Sequence, residues 1–142
     1  MAVVVAMADA EPEEYSIFLS PYSAVREGPE TLADYVNGRR RFFPMLKGGV
    51  AKMINRDHIV WFRCERLPAV SDIDVTIIER TAILELSDGT RLEGSIPVDR
   101  PREHSRISDV LNDGCETFVR LDDDTASTYF VNKNFIRQVI PL

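Results

Sequence analysis

Arg39-Arg40-Arg41-Phe42-Phe43, followed closely by Lys47 and Lys52, is the stretch in which cations and aromatic rings stand together. Guanidinium and ammonium groups neutralise phosphate, and ring faces stack on unpaired bases, so this combination suits single-stranded nucleic acid. Arg56 and Lys133 add one cation to each of two asparagine-bounded corners, Asn55-Arg56-Asp57 and Asn132-Lys133-Asn134. Against that use, an arginine run beside a turn is an ordinary solvated face, and Phe43 reads as core. The equivalent place in a second repeat, described below, holds Asp113-Gly114-Cys115-Glu116, with Asp122-Asp123-Asp124 beyond it. Opposite charge at equivalent positions gives the same residues a competing role, in which the two faces meet within a chain or between chains.

Other chemistry finds little support. Asp122-Asp123-Asp124 lacks the glycine and distal glutamate of an EF-hand loop and reads as a solvated turn. His58 and His104 have no Cys/His spacing that makes a zinc site. Cys115 has no histidine or helix N-terminus nearby to lower its pKa. There is no nucleophile-base pair and no phosphate loop. The chain is therefore expected to be non-enzymatic, with no cofactor and no metal. Trp61, between Val60 and Phe62, reads as core or subunit interface.

The elements that position these residues come in two sets. Thr31 to Phe62 aligns with Arg106 to Val139, placing Leu32 on Ile107, Asp34 on Asp109, Asn37 on Asn112, Phe43 on Phe118 and Leu46 on Leu121. A two-residue gap then puts Asn55 on Asn132 and Ile59 on Ile136. Upstream, Ala82, Leu84 and Leu86 alternate with Thr81, Ile83 and Glu85, Asp88-Gly89 interrupts, and Leu92, Gly94, Ile96 and Val98 alternate again, the pattern of a hairpin. Val3, Val5 and Met7 repeat it, with Ala10 where Gly89 sits, which calls for a wider loop. Each set continues with a short helix. Thr31 to Asp34 fits a capping box, Ser105 is the expected cap of the second helix, and Asn37-Gly38 and Asn112-Asp113-Gly114 supply left-handed ends. Two strands, a tight asparagine corner and a last strand complete each copy.

The whole chain has 142 residues and a net charge of −6. Lysine and arginine balance the acids nine to nine up to Arg66; beyond it eight face fourteen, so the charge sits entirely in the second copy. An acidic total disfavours general nucleic-acid affinity. No run nears the roughly 18 apolar residues of a membrane span, and Met1 to Ala10 reads as a strand rather than a signal peptide. Two cysteines at unmatched positions make no disulfide framework, which fits a reducing cytoplasm.

Leu86-Ser87-Asp88-Gly89-Thr90-Arg91-Leu92-Glu93-Gly94-Ser95-Ile96 resembles the first motif of Sm-like proteins. Phe130 to Pro141 resembles the second motif of bacterial Sm-like RNA chaperones, and Ile54 to Phe62 its archaeal and eukaryotic version. In the bacterial family the corner is Tyr-Lys-His and contacts uridines; here only Lys133 matches. The resemblance implies a mainly β protein of two tandem Sm-like (SH3-like) five-stranded small barrels. Each carries its short helix between strands two and three, whereas Sm proteins place it before strand one. The domains are expected at 1–66 and 67–142, with a linker at about 65–74 and Val75 to Arg80 extending the following strand. Gly94 is expected to mark a bend. The fourth and fifth strands of such a unit are edges, and Ala126 to Val131 and Phe135 to Ile140 hold no proline or inward lysine to block pairing. One edge is open to the sister unit and the other to a second chain. The expected function is assembly into a homo-oligomer, a dimer or trimer. The alternative is RNA or single-stranded nucleic-acid binding through Arg39, Arg40, Arg41, Phe42, Lys47, Lys52, Arg56 and Lys133.

Overall fold

The computed structural model describes residues 1–24, 27–69, 77–99 and 102–142. The linker expected beyond 69 and the strand start expected at 75 fall outside the described residues. The first half comprises β1 (Ala2–Met7), β2 (Glu13–Ser16), α1 (Leu32–Asn37), β3 (Phe42–Lys47), β4 (Val50–Asn55) and β5 (Ile59–Glu65). The second repeats the order: β6 (Ile78–Leu86), β7 (Arg91–Val98), α2 (Ile107–Asp113), β8 (Phe118–Asp122), β9 (Ser127–Asn132) and β10 (Ile136–Pro141). Both helices lie where the sequence puts them, between the second and third strands of a set. No helix among the described residues is long and apolar enough to cross a membrane.

All ten strands join one antiparallel sheet in the order β10-β6-β7-β8-β9-β5-β1-β2-β3-β4. The sheet is not closed into a barrel. Within each half the last strand lies beside the first, and the rest follow in sequence. The seam between halves is the pairing of β5 with β9, with Phe62 opposite Phe130 and Cys64 opposite Thr128. Each half also carries the same irregularity, at Ala6/Met7 in β1 and at Ile136/Gln138 in β10, where the register of the last strand against the first shifts. Two apolar clusters fill the interior. One holds Val5, Tyr35, Phe43 and Phe62 of the first half, and the other Leu84, Ile96, Leu121 and Val131 of the second.

Local chemistry explains most of the elements. Asp88 and Gly89 turn β6 into β7, with Gly89 at φ 90° and the Asp88 carboxylate accepting the Thr90 N–H. The β1–β2 loop is the wider one, and Asp9, not Ala10, takes the left-handed conformation at φ 60°, which aspartate tolerates better than alanine. Thr31 and Asp34 form the capping box of α1. The two asparagine corners are alike: Asn55 Oδ1 accepts from the Asp57 N–H and Asn132 Oδ1 from the Asn134 N–H, each opening a single 3-10 turn.

Three expectations are corrected. Ser105 does not cap α2; it is buried and accepts from Arg80 at 2.7 Å, while Arg106 opens the helix and its N–H is taken by Asp109. Gly38 and Gly114 end the helices in extended, not left-handed, conformations. A Cβ on Gly114 would press on the Glu116 side chain and lie 2.8 Å from the Val110 carbonyl, so close approach explains this glycine. Gly94 likewise allows contact, since an added Cβ would collide with the Asp122 carbonyl oxygen and lie 2.9 Å from Leu121 Cδ2. The third correction concerns the repeat. Phe42 pairs with Asn55 and Phe118 with Asn132, so Phe118 corresponds to Phe42, and Val119 to Phe43. Six steps separate Asn112 from Phe118 but five separate Asn37 from Phe42, and a one-residue slip exchanges the two faces of a strand. Leu46 accordingly matches Asp122, and Leu121 matches Met45.

Candidate functional site at the open edges of the sheet

The seam shows what the outward groups of a fourth strand can do. Phe118 and Phe130 belong to the second half, yet both are packed in the first half's cluster. The rings of Phe118 and Phe62 stand 5.4 Å apart at 65°, an edge-to-face geometry. On the opposite face Trp61 crosses from the first half and meets Tyr129 at 5.3 Å and 75°. Trp61 is thus core, at the contact between the two halves. Asn132 is buried, and its Nδ2 donates 2.9 Å to the Ile59 carbonyl across the seam, latching one half to the other.

The register makes β4 the counterpart of β9 and β10 the counterpart of β5, and neither has a partner on its outer side in the described sheet. Met53 stands where Phe130 does, Lys52 where Tyr129 does, Val50 where Ser127 does, and Phe42 where Phe118 does. Their surroundings are opposite. Phe118 and Phe130 are each 1% exposed, whereas Phe42 is 46% and Met53 63% exposed. Leu46 is exposed on the same face and Val50 on the opposite one. On the other edge, Val139 and Ile140 are half-buried and Leu142 is exposed. Glu85 there binds both Arg137 and Gln138, and the Arg137 hydrogen bond first of all holds its carboxyl below the usual value.

The backbone on both edges is directed outward at known positions. In an antiparallel ladder alternate residues turn their N–H and C=O to opposite sides. The Arg56 N–H bonds to the carbonyl of Arg41, just before β3, so Ile54, Lys52 and Val50 face β3, and Met53 and Ala51 face out. The Leu142 N–H bonds to Thr81, so Ile140 faces β6, and Val139 and Pro141 face out. An outward peptide row of this kind recruits another strand.

The residues expected to bind nucleic acid are dispersed. Arg40 lies over the Tyr35 ring at 4.9 Å, and Arg41 pairs with Asp57 at 2.9 Å. Lys47 pairs with Glu13 and sits above the Tyr15 ring. Arg56 donates to the Gly38 carbonyl and covers the Phe43 ring at 5.2 Å; burial, the leading cause, lowers its pKa. Lys133 Nζ reaches the Gly114 carbonyl at 3.4 Å and the Glu116 carboxylate at 3.9 Å. Arg39 and Lys52 are exposed. Arg41 and Lys133 thus answer acids of their own halves, Asp57 and Glu116. Asp122 is held by Arg120 and by the Thr128 hydroxyl, and Asp123 accepts from Thr125 and Ser127, so these two shape the β8–β9 hairpin rather than being merely solvated. Among the described residues no three His, Cys, Asp or Glu side chains are gathered to hold a metal. Burial pushes the Cys64 thiol up to about 11, and Cys115 is exposed.

Sequence reasoning found the edges as strands but missed Met53, Val50 and Leu46 as surface groups. The available signal was that Phe42 to Leu46 is apolar at nearly every position, as in strands buried on both faces. Comparison with protein-family models, curated proteins and solved structures finds no match for this chain.

Proposed function

We propose that the protein is a non-enzymatic assembly module made of two tandem Sm-like units, 1–66 and 67–142, that joins copies of itself through its edge strands. The observation carrying this reading is the seam: the chain already pairs a fifth strand with a fourth strand inside itself, and leaves one of each open at its ends. Apolar groups exposed at Phe42, Leu46, Val50 and Met53 give the open edge a surface that water disfavours. Head-to-tail pairing of this type is heterologous, so it closes into a ring where the rotation allows and otherwise extends. A dimer gives four units and a trimer six. Charged groups supply steering rather than affinity, because exposed pairs are worth about 0 to 1 kcal/mol each.

Nucleic-acid binding is the competing reading, and the pairing of Arg40, Arg41, Arg56, Lys47 and Lys133 with rings, carboxylates or carbonyls weighs against it. Size exclusion with light scattering and absorbance separates the two. The assembly reading expects a multiple of 16.1 kDa and a protein-like 260/280 ratio. A monomer that carries nucleic acid would reverse the choice.

A further inference from the structure

We infer that the occupant of the β4 edge is β10 of a second copy of this chain, held in one register, with Val139 opposite Met53 and Leu142 opposite Val50. This rests on the assembly reading and adds to it the partner strand, the alignment and the groups that choose it. The internal seam supplies the template. There Phe62 pairs with Phe130, Arg63 with Tyr129, Cys64 with Thr128 and Glu65 with Ser127. Replacing each residue by its counterpart at the open edges gives Val139 with Met53, Ile140 with Lys52, Pro141 with Ala51 and Leu142 with Val50.

The outward backbone groups agree with this alignment. Val139 and Met53 both face out and can exchange two N–H···O bonds, as a hydrogen-bonded pair does. Pro141 also faces out but has no N–H, so opposite Ala51 it accepts one bond and donates none. Moving the strand by one residue would set inward-facing groups against outward-facing ones and lose the ladder. A slip by two would keep the ladder but set Leu142 opposite Lys52.

The side chains fit as well. In this register Phe42 and Met53 enter the second copy's apolar wall beside Val139 and Leu84, as Phe118 and Phe130 enter the wall beside Phe62 and Val5. On the other face the aromatic pair Trp61 and Tyr129 has become Gln138 and Lys52 at the open edges. Gln138 is joined to Glu85, which also holds Arg137, so the Lys52 ammonium meets the Gln138 amide where the seam has a ring. The two rings of the seam have thus become polar side chains on both sides of the junction at once. Asn55 repeats the latch: its Oδ1 caps the 3-10 turn as that of Asn132 does, and its Nδ2 is placed for the Ile136 carbonyl of the second copy.

Disulfide trapping reads the register. Directly opposed residues of a non-hydrogen-bonded antiparallel pair have Cα atoms about 4.5 Å apart, within the span a disulfide bridges. Val50 and Leu142 are such a pair in the inferred junction, and both are exposed in the single chain, so Val50→Cys with Leu142→Cys leaves the fold intact. The background carries Cys115→Ser. Mild oxidation is expected to give, in SDS without reductant, a ladder of dimers and higher species that collapses on adding thiol. The two-residue slip control, Lys52→Cys with Leu142→Cys, is expected to cross-link at least ten-fold less. Assembly by light scattering without trapping at Val50/Leu142, or with equal trapping in the control, overturns the register and leaves the assembly reading standing. A monomer by light scattering overturns both.

Discussion

Phe118→Ala and Phe42→Ala make the same change at equivalent positions and are expected to behave in opposite ways. Phe118 is 1% exposed and its ring contacts those of Phe62 at 5.4 Å and Phe43 at 6.4 Å, both edge to face. Truncating a buried phenylalanine costs about 3 to 5 kcal/mol. Two lost ring pairs, each worth about 0.5 to 1.5 kcal/mol beyond area, place this one toward the upper end. Phe42 is 46% exposed, and an exposed substitution changes stability by about 0.5 kcal/mol or less. Urea unfolding followed by Trp61 fluorescence at a concentration low enough to hold the protein monomeric measures both. At higher concentration Phe42→Ala is then expected to lose the concentration-dependent stabilisation that assembly gives the parent protein. Equal small losses in the two variants at low concentration would refute the burial of Phe118 across the seam, and with it the template on which the open edges are read.

Gly94→Val is expected to cost about 3 kcal/mol, the upper end of over-packing, because the new side chain meets the backbone of Asp122 and not a flexible tip; an unchanged urea midpoint would contradict the close approach of β8. The buried Cys64 thiol gives a pH signature. Its pKa is raised by burial from 9.0 to about 11, so the unfolded chain ionises first, and the stabilisation present below pH 9 is lost as pH climbs through 11. Urea titrations from pH 8 to 11 are expected to show a shallower decline in Cys64→Ala than in the parent, and parallel declines would count against the burial.

Much of the fold is readable in the sequence because its signals are local. Alternation on either side of Asp88-Gly89 defines β6 and β7, and Thr31 with Asp34 opens α1. Asn55 and Asn132 mark the corners by the same side-chain bond to the residue two on. What is not readable depends on what lies across the chain. Phe43 and Phe118 are both buried phenylalanines near the start of a third strand, and sequence pattern cannot tell that they use opposite faces. Ser105 has the type of a helix cap, but Arg80, twenty-five residues earlier, claims its hydroxyl. Gly38 and Gly114 look like left-handed helix ends, yet both are extended, and at Gly114 the nearness of the Val110 carbonyl leaves no room for a side chain. The arginine run reads as a nucleic-acid grip until Tyr35 under Arg40 and Asp57 beside Arg41 are in place. The exposed row of Phe42, Leu46 and Met53, with Val50 on the opposite face, reads as core, because sequence alone does not say which fourth strand the chain covers and which it leaves bare.

The most direct test of assembly through edge strands is sedimentation velocity of the parent protein beside Met53→Pro, at micromolar concentration and moderate salt. The Met53 N–H faces outward, so proline there removes a donor from the open edge without breaking the ladder to β3, and edge strands tolerate it. The account predicts a multimer of the 16.1 kDa chain for the parent and a monomer for the variant. A parent that sediments as a monomer, or a variant that sediments with the parent's mass, would contradict it.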